Sequence, residues 1–145
     1  MRKIALFLIL MACTMCSKRS QPVPPVMYME YIVRNETHCA PFHCIFERDA
    51  QNRYLLTDAS DCEQRTIEVP ESFAQELQRI IAEEQIRSYK PEYRSLGTVQ
   101  DGEEWQLTIR FENNEQTICS SGHQAQPKGK GLERIQQLCI ATWNE

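Results

Sequence analysis

A chain of 145 residues with 20 Asp and Glu against 16 Lys and Arg, and so a net charge of −4, suffices for one domain with a modest core. That balance argues against a nucleic-acid partner, which needs a basic face able to displace counterions from the phosphate backbone. Seven cysteines in so short a chain raise the question of export to an oxidising compartment.

The N-terminus bears on that question first. "MRKIALFLILMACTMC" sets Arg2 and Lys3 ahead of an apolar run from Ile4 to Ala12, the layout of a secretory signal peptide. As a helix the run rises only about 14 Å, short of the roughly 30 Å hydrocarbon core, so it does not suit a permanent span. Leu10-Met11-Ala12-Cys13 resembles the bacterial lipobox, although Met11 is bulkier than the Ser, Thr or Ala usual at its position. The resemblance implies a signal peptide over residues 1–12 and Cys13 as the first mature residue, lipidated by acyl chains such as palmitate. An ordinary signal peptide cut a few residues later is the alternative. Thr14 stands where the inner-membrane retention signal has Asp, and Ser17-Lys18-Arg19-Ser20 lacks the acidic run of a surface-export tag. Both resemblances imply an outer-membrane anchor facing the periplasm. Each buried methylene adds about 0.8 kcal/mol, so several chains on one cysteine hold a protein stably without any spanning helix. Loss of residues 1–12 removes Arg2 and Lys3 and no acid, which moves the net charge from −4 to −6.

Residues 13–26 include "SKRSQPVPPV", with three prolines and almost no core-forming side chains. Such chain extends at about 3.1 Å per residue and serves as a tether. A single domain is expected over residues 27–145. In "VMYMEYIVR", Met27, Met29, Tyr31 and Val33 alternate with Tyr28, Glu30 and Ile32, the period of a strand. Phe42, Cys44 and Phe46 share one face of a second strand, "DAQNR" supplies a turn, and Tyr54 to Thr57 form a third. The pattern predicts an antiparallel meander with "THCAPFHC" joining its first two strands.

A helix follows, with Phe73, Leu77, Ile80 and Ile81 on its buried face. Pro70 suits its first turn, Ser72 with Gln75 resembles a capping box, and Pro91 stops it, which predicts an end near Arg87. The polar stretch from Ser88 to Glu104 carries Tyr89, Tyr93 and an Asp101-Gly102 turn. Tyrosines packed beside Trp105 are expected there, with an aromatic ligand shelf as the alternative. Next, Trp105, Leu107, Ile109 and Phe111 line one face of a strand that turns at Asn113-Asn114 and returns from Gln116 to Ser120. Leu132, Ile135, Leu138 and Cys139 then share a helical face. The expected class is α+β: an antiparallel sheet built from two successive strand-strand-helix halves, with the helices packed on one face.

The segment "DGEEWQLTIRFENNEQTICSSGHQAQPKGKGLERIQQL" has an Asp-Gly, a Trp opening an alternating strand, a hairpin, Ser-Ser-Gly, a loop with Pro and a closing helix. In this it resembles small bacterial cell-envelope lipoproteins, Bacteroidetes-like, of undefined activity. The resemblance covers about 38 residues. It implies an α+β domain and brings no catalytic residues.

Five cysteines, Cys39, Cys44, Cys62, Cys119 and Cys139, are disulfide candidates in an exported chain. With Cys16 they make six, which allow fifteen pairings. A Cys119–Cys139 bridge would pin the last helix to the sheet, with a loop-closure contribution of about 3 kcal/mol. Cys39, Cys44 and Cys62 form the other group. His38, Cys39, His43 and Cys44 also offer two imidazoles and two thiolates, a donor set for zinc or cuprous ion. Their spacing is not that of a zinc finger, and adjacent residues on extended chain point apart. The bland reading, a disulfide-tied connection with two surface histidines, is therefore preferred, and no metal or other cofactor is expected. Cys13-Thr14-Met15-Cys16 has redox-enzyme spacing, but no βαβ unit follows it.

Ser121 and His123 stand without a nucleophile elbow, and Lys128-Gly129-Lys130-Gly131 lacks phosphate-loop spacing. Asn35-Glu36-Thr37 matches a glycosylation sequon by chance if the chain is a bacterial lipoprotein. Glu83-Glu84 and Glu103-Glu104 fit solvated faces. No acid, base and nucleophile converge by motif, so no catalytic residue is assigned. The expected function is a non-enzymatic, lipid-anchored envelope module that binds a protein or peptide. The alternatives are a zinc- or copper-handling protein using the His38–Cys44 loop, and a hydrolase or redox enzyme assembled from distant residues.

Overall fold

The computed structural model describes residues 22–35, 40–60, 63–94, 103–122 and 125–144. The signal peptide, Cys13, Cys16 and the tether up to residue 21 lie outside them, as do Glu36, Thr37, His38, Cys39, Cys62, Asp101, Gly102 and His123.

Alternating apolar residues draw the strands into one sheet. β1 (Val26–Arg34), β2 (Phe42–Arg48), β3 (Tyr54–Asp58) and β4 (Arg65–Val69) precede α1 (Glu71–Glu83) and a short 3-10 helix (Ile86–Ser88). β5 (Glu92–Arg94), β6 (Glu104–Phe111) and β7 (Gln116–Gly122) precede α2 (Gly131–Trp143). The seven strands lie in the order β4-β3-β2-β1-β6-β7-β5, antiparallel except for the β5–β7 pair. The fold is α+β, and each half holds more strands than strand-strand-helix. β4 and β5 are additions to the three-stranded meander and the hairpin read from the sequence, and they form the two edges.

Met29, Tyr31 and Val33 of β1, Phe42, Cys44 and Phe46 of β2, and Trp105, Leu107, Ile109 and Phe111 of β6 belong to one buried cluster. Both helices reach it over β2. Phe46 stacks on Phe73 of α1 at 5.5 Å, Cys44 meets Cys139 of α2, and Phe42 lies 5.9 Å from Trp143. Met27, expected on the core face, is only half-buried. A register shift between Val26 and Tyr28 gives its place to Val26, which is 3% exposed, and starts the strand one residue early. The last residues of the Pro-rich stretch dock on the domain: Glu112 N–H donates to the Pro25 carbonyl at 2.9 Å, and Val23 packs against the core.

The expected capping box is absent. Pro70 is the N-cap, with extended backbone and no side-chain cap bond, so Ser72 already lies inside the helix. α1 also stops at Glu83, short of Arg87, because Gln85 turns left-handed at φ 52. That turn drives Ile86 into the core, where it is fully buried. α2 likewise has its N-cap, Lys130, without a side-chain cap bond of its own. Glu84 supplies one from the end of α1: its carboxylate accepts the Lys130 N–H at 3.0 Å and Arg134 Nη1 at 2.9 Å. Those bonds, Arg134 first, hold the Glu84 carboxyl below the usual carboxylate range.

Gly129, at φ +102, and Gly131 make this seam possible. A Cβ at Gly131 would come 2.5 Å from the Tyr89 hydroxyl and 3.1 Å from Glu84 and Ile86 carbons. Alanine is the better helix former by about 1 kcal/mol, yet we expect Gly131→Ala to destabilise by about 1–3 kcal/mol in urea unfolding, because overpacking outweighs propensity. The Tyr89 hydroxyl is buried without a partner among the described residues. Tyr89→Phe alone should be neutral or stabilising, and in its background Gly131→Ala should cost less. Additive losses would show that the contact does not set the cost.

Candidate functional site

β1 ends, and β2 and β6 begin, at the same end of the sheet, where α2 passes over them. Between them lies a cleft of about 360 Å³. Its floor is apolar: Tyr31 and Val33 from β1, Phe42 from β2, Trp105 from β6 and Leu132 from α2. These residues sit here because strand alternation turns them to the core face, where each is buried and only a narrow edge of it reaches the cleft. Tyr31 and Phe42 pack with ring centroids 5.4 Å apart. Trp105 is fixed by Nε1–H donation to the Ala125 carbonyl at 2.9 Å and by Tyr93 at 5.7 Å.

The rim is polar, formed by Glu103, Gln126, Glu133 and Gln136. It holds two carboxylates and two amides, and among the described residues no cationic side chain lines the cleft. Burial, reinforced by Cys44 and then by the Glu103 charge, pushes the Tyr31 phenol well up, so it stays neutral. A smaller hollow of about 200 Å³ lies beyond Trp105 and is lined mainly by residues of opposite strand parity, among them Ile32, Arg34, Gln106 and Ser120.

The structure separates the sequence candidates. Within "FHC", Cys44 points into the core, while His43 turns to the other face, its Nε2 2.9 Å from Glu30 Oε1. Among the described residues no group of three or more His, Cys, Asp or Glu is placed to hold a metal. Ser121 is buried, its hydroxyl without a partner among the described residues. Tyr89 and Tyr93 pack edge to face at 6.1 Å, continuing to Trp105, as expected for packed tyrosines.

Cys139 Sγ lies 3.3 Å from Cys44 Sγ, whereas Cys119 Sγ lies 3.8 Å from the Leu107 carbonyl. The neighbour of Cys139 is thus on β2 rather than on β7. The rim residues Gln126, Glu133 and Gln136 escape sequence reasoning, because nothing distinguishes them from an ordinary solvated helix face and loop. The floor carries a signal, an aromatic at or near the start of two strand patterns, Phe42 and Trp105, and Tyr31 in the second half of a third, but that signal also describes core. No protein-family model and no curated protein matches the chain.

Burial raises the Cys119 thiol from its ordinary value of 9.0 up to about 12. Raised this way, it contributes stability fully present below pH 9 and lost as pH rises through about 12. We expect the slope of unfolding free energy against pH over that window to flatten in Cys119→Ala. We also expect folded protein to leave Cys119 unalkylated at pH 8, with reaction only after unfolding. Rapid native alkylation would contradict the burial argument.

Proposed function

We propose that the protein is an exported, lipid-anchored envelope protein whose α+β domain binds a peptide or protein segment in the periplasm without catalysing a reaction. One observation carries the binding reading: an aromatic-floored cleft with an acidic and amide rim. Its volume of about 360 Å³ falls in the range of small binding pockets. The floor suits an aromatic or branched apolar side chain. Glu103 and Glu133 favour a neighbouring Lys or Arg, and the amides of Gln126 and Gln136 suit backbone groups.

The placement of the chain entry supports the anchor reading. Val23 and Pro25 are held at the opposite end of the sheet, beside Gln78 and Glu112, with the Val23 carbonyl accepting from Gln78 Nε2 at 3.3 Å. β1, nine residues long, separates that end from the cleft by roughly 27 Å at strand rise. On the anchor reading, the chain running from Cys13 would enter the domain at the end opposite the cleft.

Two measurements test the proposal. Fractionation should find the wild-type chain in detergent-soluble membrane and Cys13→Ser in the soluble periplasmic fraction; a membrane-bound serine variant would refute the anchor. Titration with unstructured peptides, followed by tryptophan fluorescence, should favour those joining an aromatic residue to Lys or Arg. Glu133→Lys, on the exposed rim, should weaken these about threefold to tenfold, most at low salt. Equal binding of acidic peptides, or release of cleaved fragments, would remove the reading.

A further inference from the structure

Cys44 and Cys139 are 95 residues apart in the chain, yet their Sγ atoms lie 3.3 Å apart. Both side chains are fully buried. Cys44 sits in the middle of β2, paired across the sheet with Tyr31 on one side and Asp58 on the other, and Cys139 sits on the inward face of α2. A disulfide bond is about 2.05 Å long, so only about 1.2 Å of closure is needed, on the scale of small side-chain rotations.

We propose that Cys44 and Cys139 form a disulfide that ties α2 to β2. The pairing differs from a Cys119–Cys139 bridge and from any link within the group of Cys39, Cys44 and Cys62. The co-reactant is a disulfide oxidant, either an oxidised dithiol oxidoreductase or a low-molecular-weight disulfide. One cysteine thiolate attacks a sulfur of the oxidant, forming a mixed disulfide and expelling the first oxidant thiol. The second cysteine thiolate then attacks its partner's sulfur and expels the second oxidant thiol. The protein loses two electrons and two protons, and the oxidant gains them as two thiols.

The surroundings also set when the bond forms. Burial first, and then the hydrogen bond from Cys139, push the Cys44 thiol well up. A protonated thiol out of contact with solvent exchanges slowly. The bond must therefore form before α2 docks, and once formed it is shielded from reductant. Phe42 is two residues from Cys44 on the same strand face, and Gln136 and Leu132 lie one and two turns before Cys139 on α2. The disulfide thereby fixes the spacing of the two walls of the cleft.

The oxidising compartment is taken from the export reading, so the test has two arms. In the first, full-length protein from an exporting cell is quenched in acid, unfolded, alkylated without reductant and digested with trypsin and chymotrypsin. Chymotrypsin cuts at Phe42, between Cys39 and Cys44. We expect the Cys44 fragment joined to the Cys139 fragment, and both cysteines alkylated only after reduction. In the second, the same chain is reduced, unfolded and refolded in detergent with reduced and oxidised glutathione, which needs no export.

The link in both samples supports the pairing. The link only after refolding supports the pairing and counts against export. Free thiols in both, or Cys139 joined to another cysteine, overturn the pairing. Reductant present during heating should lower the midpoint by about 10 °C. A Cys44→Ala/Cys139→Ala double variant should show no such shift attributable to this pair, and an equal shift in that variant would assign the effect to other cysteines.

Discussion

A seven-stranded sheet with one apolar face measures about 29 Å between its edge strands at about 4.8 Å spacing. Among the described residues the cover available to it is two thirteen-residue helices, each about 20 Å long. The arrangement follows from that shortage. Both helices must lie against the sheet, and connecting chain has to complete the cover. Ile86 of the 3-10 helix is fully buried for this reason, and Tyr89 and Tyr93 pack beside it. Arg87 carries the cover across to the β6–β7 side, pairing with Glu115 and lying 5.8 Å over the Phe111 ring. Near Phe42 and Trp105 the cover among the described residues is the first half of α2, and the cleft lies between it and the strand ends.

The same shortage makes the position of α2 sensitive to a few contacts. Its start depends on Glu84, a residue of the preceding helix end, and on two glycines that let the chains approach. Its second half rests on β2 through Cys139 and Trp143. Leu132, Glu133 and Gln136, which shape one wall of the cleft, lie between these supports. Neither support is local in sequence: Lys130 is 46 residues from Glu84, and Cys139 is 95 from Cys44.

That distinction between local and distant marks what was legible in the chain. Phe42-Cys44-Phe46 and Trp105 to Phe111 announce half-buried strands, because a period of two is written within a few residues. Phe73, Leu77, Ile80 and Ile81 announce a helical face for the same reason. β4 escapes notice because an edge strand keeps only part of its surface buried: Arg65, Thr66 and Glu68 are exposed, which dilutes the alternation of Ile67 and Val69. β5 is three residues long and pairs in parallel with β7, an association that no neighbouring residue signals. The cleft floor was visible as apolar pattern but not as a site, since Tyr31, Phe42 and Trp105 have the same signature whether a strand face is covered or left open. The Glu84 cap has no signature either, because the carboxylate and the helix it caps belong to different segments.

The two edge strands also narrow the ways in which another chain can engage the domain. A partner joining by strand addition needs a run of open backbone donors and acceptors. Among the described residues β5 offers three, its first and last joined by the Glu92–Arg94 ion pair at 2.7 Å. β4 offers five, with charged side chains at Arg65 and Glu68. Short, charged borders of this kind discourage copies of the domain from zipping together edge to edge. On the peptide-binding reading proposed above, they favour side chains seated in a shaped hollow, which is selective for sequence, over main-chain pairing, which is indifferent to it.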